Sequence, residues 1–226
     1  MVKTAKQKNI FADKATLIPR MMLVDPQKKW VVRDFTGPQG VSLGMAQEVL
    51  AAMDNRGYVE RLRRGPASHT ILTNPAQLIS DWTHEYKFEL NQTRTYFSSD
   101  RHILEKIKDY CKEDRYALTL HTGANLLTSF VKTDDIFLYL HCKDWHKELL
   151  EMRQRLDLKE LVRGGNVHLI YPFYKNSIFF NAQKIKGFSV VSSLQLYLDL
   201  YHFQPRGREH AEFLKGSLEG KGRRLD

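Results

Sequence analysis

The stretch SLGMAQEVLAAMDNRGYVERLRRGPASHTIL, residues 42–72, decides how the chain is read. Ser42 stands where a side-chain oxygen can cap a helix running to about Asn55, and Gly57 supplies the left-handed residue that stops it. Leu43, Ala46, Val49, Leu50 and Met53 share one helical face and are expected to pack inward. The opposite side presents Gly44, Gln47, Glu48 and Ala51, with Met45 at its edge. Tyr58 to Leu62 then reads as a strand, Arg63 to Ser68 as a turn, and His69 to Leu72 as the returning strand.

Working outward toward the N-terminus, Thr16 to Leu23 suits a first helix in which Pro19 is tolerated in the first turn. Lys29 to Val32 can add a strand, and Arg33 to Thr36 a short helix ended by Gly37-Pro-Gln-Gly40. Toward the C-terminus, Asn74 and Pro75 start a helix through Trp82 and Tyr86. The order is that of a helix-turn-helix followed by a β-wing. In such a layout the N-terminal half of the second helix enters the major groove of duplex DNA, where Gln and Glu pair with base edges and Met or Ala touches a thymine methyl. The candidate readers are therefore Ser42, Gly44, Met45, Gln47 and Glu48. None of these is basic, so the attraction to phosphate must come from beside the helix: Arg56, Arg61, Arg63 and Arg64 in and near the wing, with Lys28 and Lys29 flanking the motif.

Charge supports that direction. The 226 residues hold 35 Lys and Arg against 26 Asp and Glu, a formal net charge of +9. Residues 1–74 carry 12 basic and six acidic side chains, so +6 of the +9 lies in the first third of the chain. An excess of this kind favours a polyanionic partner. With 42% hydrophobic and 27% charged residues, the chain has the composition of a globular protein and not of a disordered one. No apolar run is long enough to cross a bilayer and no export signal is read at the Lys-rich start, so no membrane partner is expected. Cys111 and Cys142 sit in apolar contexts that suit reduced thiols, and the cytoplasm is the expected compartment.

Beyond residue 90 the pattern changes from helices and a hairpin to alternating strands and helices, giving an α+β chain: an N-terminal winged helix-turn-helix followed by a mixed α/β domain. The expected divisions are a flexible basic N-terminus (1–14), the winged-helix domain (15–90), the α/β domain (91–215) and a flexible tail (216–226). Within the α/β domain, strands are expected at 94–97, 116–121, 136–141, 167–171, 177–180 and 188–191. Helices are expected from Ser98 or Ser99 to about Asp114, from a Thr122 cap through Leu127, and over 144–156, 194–201 and 206–214. Asp199, between Leu198 and Leu200 in an apolar helix, needs a partner, for which Arg206 or Arg208 is positioned.

The constellations that would carry catalysis are weak. His141, Cys142, Asp144 and His146 crowd four potential metal ligands together without a second cluster at zinc spacing. Asp134-Asp135 lacks the Gly-Ser loop of a nucleotidyltransferase, and Asp157-Leu-Lys159 follows a helical stretch where a nuclease would need a strand. Neither a phosphate-binding loop nor a Gly-x-Ser-x-Gly elbow is present. No enzyme activity, metal or cofactor is expected. A ligand-sensing regulator, with a small molecule held in the α/β domain, stays open as the alternative.

The order of Gly40-Val-Ser-Leu-Gly-Met-Ala-Gln-Glu-Val-Leu50, Asn55-Arg-Gly-Tyr-Val59, Leu78-Ile-Ser-Asp-Trp82 and Tyr116-Ala-Leu-Thr119 resembles the AbiEi family. So does the C-terminal pair Val191-Ser-Ser-Leu-Gln-Leu-Tyr-Leu-Asp-Leu200 and Pro205-Arg-Gly-Arg-Glu-His-Ala211. These are abortive-infection antitoxins of type IV toxin–antitoxin systems, which act in phage defence. The resemblance spans about residues 15–214. It implies a winged helix that represses its own operon at inverted repeats, and a C-terminal domain that counteracts a nucleotidyltransferase-like toxin without needing a stable complex. Carried over by position, the C-terminal candidates are Asp199, Arg206 and Glu209. Two subunits on half-sites about 34 Å apart, as a homodimer on DNA, would offset the uncharged reading face.

Overall fold

The computed structural model describes residues 8–111 and 115–226. These divide into two compact units, one ending at Tyr86 and the other running from Lys87 to Leu225.

In the first unit, α1 (Leu17–Val24) places Pro19 in its first turn, where the missing N–H has no helical partner to lose. A 3-10 turn, Val32–Phe35, leads into α2 (Leu43–Asn55). The side chain of Ser42 accepts a hydrogen bond from the Met45 amide at 3.2 Å, a cap that contributes about 1 kcal/mol. Ala46, Val49, Leu50 and Met53 are fully buried. Leu43 is not: it occupies the first turn beyond the buried stripe and is 51% exposed, against the inward position expected. Gly57 takes φ +74° and turns the chain into the antiparallel ribbon of β1 (Val59–Leu62) and β2 (His69–Leu72). The third strand expected at Lys29 to Val32 shrinks to Trp30, which exchanges two backbone hydrogen bonds with Thr70 at 2.9 and 2.8 Å before the 3-10 turn takes over. Asn74 caps α3 (Pro75–Glu85).

The start of this unit is not a loose tail from Lys8 onward. Ile10 and Phe11 are buried, Phe11 packs against Trp82 with ring centroids 5.4 Å apart, and Asp13–Thr16 forms a 3-10 turn. Apolar burial overrides the polar, Lys-rich look of the segment; residues 1–7 lie outside the described residues.

The second unit is built on a mixed sheet of six strands among the described residues, β3 (Gln92–Tyr96), β4 (Tyr116–Leu118), β5 (Ile136–Leu140), β6 (Val167–Tyr171), β7 (Gln183–Ile185) and β8 (Phe188–Val190), in the order β3-β6-β5-β4-β8-β7. β5 pairs parallel with β6 and antiparallel with β4, and is buried at all five positions, so both faces of the sheet are covered. On one face Tyr110 of α4 (Ile103–Cys111) donates to Glu151 of α6 (Trp145–Arg155), and Trp145 packs on Tyr171 of β6. On the other face lie α5 (Leu120–Thr128), α7 (Ser193–Tyr201) and α8 (Gly207–Glu219). There Tyr139 of β5 reaches Asp199 of α7, and Phe137 meets Phe203 edge-on.

Several local expectations change. The strand at Tyr116 stops at Leu118, and α5 starts at Leu120 behind Thr119, because Thr122 is used inside the helix, donating to the Asp135 carbonyl. α4 begins at Ile103, after Asp100 accepts from the His102 amide; the expected end at Asp114 lies outside the described residues. The strand expected at 177–180 is a run of turns, and the partner of β8 is β7, joined through Lys186-Gly187 with Gly187 at φ +83°. Phe88 belongs to the second unit and packs edge-on against Phe203 at 5.5 Å. α8 continues through the segment expected to be loose, because Leu214 and Leu218 extend the buried stripe of His210 and Ala211; burial outweighs the roughly 1 kcal/mol cost of Gly216. Leu225 is also buried.

A histidine pair ties α5 to α8. The Pro205 carbonyl can only accept, so His121 carries its hydrogen on Nε2, at 3.1 Å. Its Nδ1 lies 2.8 Å from His210 Nδ1, and His210 Nε2 lies 2.8 Å from the hydroxyl of Thr128, whose hydrogen is donated to the Ala124 carbonyl at 2.9 Å. Burial, the neighbouring imidazole and Arg206 pull His210 down to about 4, and burial also lowers His121. The unfolded chain takes up these protons near the ordinary value of 6.5 and the folded chain only below it, so acidification favours unfolding. Stability is expected to fall by on the order of 2–3 kcal/mol between pH 6.5 and pH 4. Thermal melts across that range should show the loss, and a His210→Gln variant should flatten it; an equally steep loss in the variant would assign the effect elsewhere.

Candidate nucleic-acid interface

The outer side of α2 is a solvent-facing polar surface held rigid by its buried stripe. Ser42, Gly44, Gln47 and Glu48 are exposed, and Met45 is half-buried. A Cβ added at Gly44 would meet no atom within 4 Å, so this turn of backbone is open to close approach. Glu48 is paired with Lys8 at 3.1 Å. Lys8 is a cation beside the outer face of α2 that the sequence reading missed, since its partner lies far away along the chain.

The ribbon carries the arginines. Arg64 is exposed and precedes the 3-10 turn Gly65–Ala67 at its tip. Arg63 is 70% exposed at its side chain but turns back toward Asp54 in the last turn of α2, at 3.3 Å. Ribbon and helix are thereby brought together. Arg61 is half-buried, and desolvation followed by the charge of Arg63 lowers its pKa. Arg56 caps the end of α2 with its guanidinium over the Phe11 ring at 5.8 Å. Lys28 lies over Trp30 at 4.1 Å and is 3.4 Å from Asp34, while Lys29 is exposed. Arg20, counted in the basic excess, is buried at 1% exposure against Trp82 and adds nothing to a docking surface.

The three C-terminal candidates do not form one site. Asp199 is fully buried, and its hydrogen-bond partners include Thr119, Tyr139 and Gln195, none of which the sequence reading expected. Arg206 pairs instead with Glu209 at 3.1 Å on the surface, and Arg208 lies over Tyr201 at 5.0 Å. An interior carboxylate can draw hydrogen bonds from hydroxyl and amide donors that are distant along the chain, which the local sequence did not reveal. Among the described residues no three His, Cys, Asp or Glu side chains are grouped to hold a metal ion. Burial pushes the thiol of Cys111 up to about 12 and also raises Cys142. No helix among the described residues is long and apolar enough to cross a membrane.

A capped helix beside a basic ribbon, joined in sequence to an α/β unit, has the make-up of a regulatory protein. The family model described as "Transcriptional regulator, AbiEi antitoxin, Type IV TA system" matches residues 71–219, from β2 to the end of α8. The chain belongs to this AbiEi antitoxin family, a regulatory and not an enzymatic one. No curated protein and no solved structure matches it. The match leaves out α2 and the ribbon arginines.

Proposed function

We propose that the N-terminal unit is a winged helix that binds duplex DNA, with α2 in the major groove and the β1–β2 ribbon as the wing, so that the antitoxin represses its own operon at inverted repeats. The observation that carries this reading is the exposed Ser42, Gly44, Gln47 and Glu48 surface of α2 joined by the Arg63–Asp54 pair to a ribbon bearing three arginines. Gln47 and Glu48 suit base edges, and the open backbone at Gly44 permits close approach. Arg61, Arg63, Arg64 and Arg56, with Lys28 and Lys29, supply the phosphate attraction that the helix lacks. Asp54 offsets part of the Arg63 charge until phosphate replaces it. Two copies on adjacent half-sites about 34 Å apart would double both terms. The C-terminal unit counteracts a nucleotidyltransferase-like toxin encoded with it, and the protein works in the cytoplasm. Arg206 and Glu209, exposed and paired, are the surface candidates for that role; Asp199 serves it from the interior.

The test is fluorescence anisotropy on the protein's own promoter DNA across a salt series. Arg63→Ala is expected to weaken binding on all sequences and to reduce the salt slope by about 1. Unchanged affinity and slope in Arg63→Ala and Arg64→Ala would remove the wing from the interface. Gly44→Ala is expected to leave α2 as stable or better, by up to about 0.5–1 kcal/mol, yet to lower DNA affinity because the added methyl stands on the docking surface. Full affinity in that variant would mean that α2 does not face the duplex.

A further inference from the structure

β3 is an edge strand of the six-stranded sheet, and its outer side is only partly occupied. Phe97, just past the strand, exchanges both backbone hydrogen bonds with Lys159, at 2.8 and 2.9 Å. In an antiparallel ladder residues two and four positions earlier direct their N–H and C=O the same way. Thr95 and Thr93 therefore point their backbone groups outward, past the place where the Lys159 segment leaves the edge. Beside them is a cleft of about 560 Å³ between β3, α6 and the segment at Glu160 and Leu161.

The walls of this cleft differ from those of an edge that is merely solvated. Leu150 of α6 is 56% exposed, Leu161 is 49% exposed, and the next residue, Val162, is completely exposed. Arg153 is bonded to Glu160 at 3.0 Å, which leaves Arg94 in the middle of β3, with His146 at the α6 side, to set the sign of the cleft. Arg94 projects on the same face of the sheet as α6, since it alternates with Thr95, which bonds His168 on the opposite face at 2.9 Å.

We propose that the β3 edge is a docking site for an extended segment of a protein partner that adds a strand to this sheet. The segment would carry an acidic side chain opposite Arg94, flanked at two-residue spacing by apolar side chains that cover Leu150 and Leu161. Open ladder groups give such a partner affinity, and the alternate side chains give it specificity. A second copy of this chain is the wrong occupant. Antiparallel self-pairing that uses both Thr93 and Thr95 would centre on Arg94 and set arginine against arginine, between chains of net charge +9. The apolar lip and the directional backbone groups also suit a peptide better than a nucleic acid.

The test uses the full chain and a peptide labelled at its N-terminus, fluorescein-Thr-Val-Thr-Glu-Thr-Leu-Thr-amide, with a companion labelled in the same way in which lysine replaces the glutamate. Anisotropy should show saturable binding of the glutamate peptide below about 1 mM and at least about tenfold weaker binding of the lysine one. Leu150→Glu, at an exposed helix position, should weaken the glutamate peptide by about tenfold or more. Thr93→Pro removes an N–H that makes no sheet bond, and should do the same with an unchanged thermal melt. Absence of saturable binding, equal binding of the two peptides, or indifference to Leu150→Glu would overturn the proposal. So would a dimer in sedimentation that Leu150→Glu dissociates, or displacement of the peptide by duplex DNA.

Discussion

Asp199→Ala is expected to destabilise the C-terminal unit by about 3–5 kcal/mol, an effect that urea unfolding followed by circular dichroism would read directly. The carboxylate lies at 0% exposure and gathers the Thr119 hydroxyl, the Tyr139 hydroxyl at 3.0 and 3.1 Å, and the Gln195 amide at 2.7 Å. These donors come from the end of β4, the middle of β5 and the preceding turn of α7 itself, so a single side chain joins helix to sheet. Alanine removes the acceptor that these donors share, in a site closed to water, and adds a small cavity. For a unit of this size the midpoint of thermal unfolding should fall by about 10–15 °C. Asp199→Asn keeps the shape and one acceptor but turns an amide toward donors, and should cost less. Any loss of antitoxin activity in these variants should track the folded fraction. A loss of less than about 1 kcal/mol in Asp199→Ala would mean that the network does not hold α7 on the sheet.

The second large effect concerns the entry to α2. A Cβ at Gly40 would stand 2.4 Å from the Phe35 carbonyl oxygen and 3.0 Å from the Thr36 carbonyl carbon, both backbone atoms. That same oxygen accepts the Val41 amide at 2.9 Å and closes the turn between the 3-10 segment and the helix. Gly40→Ala must therefore move the backbone, at a cost of about 2–3 kcal/mol, and re-aim the start of α2. In the N-terminal unit, with fewer residues to share the loss, the melting midpoint should drop by about 10 °C or more. DNA binding, on the reading proposed above, should fall with it while the C-terminal unit stays folded. The contrast with Gly44→Ala, where the new methyl meets nothing, separates a backbone requirement from a surface one. A normal melt in Gly40→Ala would show that the turn relaxes without disturbing the helix.

What could be read along the chain was whatever short-range physics controls. The Ser42 cap, the Gly57 turn, the Asn74-Pro75 start of α3 and the two strands of the ribbon each depend on residues within a few positions of one another, and they appear where the sequence puts them. The motif pair around Asp199 and Arg206 likewise carried the family resemblance. The sequence did not disclose that Lys8 sits on Glu48, that Arg63 returns to Asp54, or that Arg20 is interior. Each of those depends on which helix faces pack together.

The sequence by itself thus determined the local elements, the division into unlike halves and the concentration of positive charge near the N-terminus, because caps, turns and apolar periodicity act over one or two helical turns. Tertiary structure alone decided the strand order β3-β6-β5-β4-β8-β7, the extension of α8, the partners of Asp199 and the open edge beside Arg94. The reason is distance along the chain: burial joins residues that no local pattern links, and a carboxylate, a glycine or a strand edge takes its role from whatever that packing brings beside it.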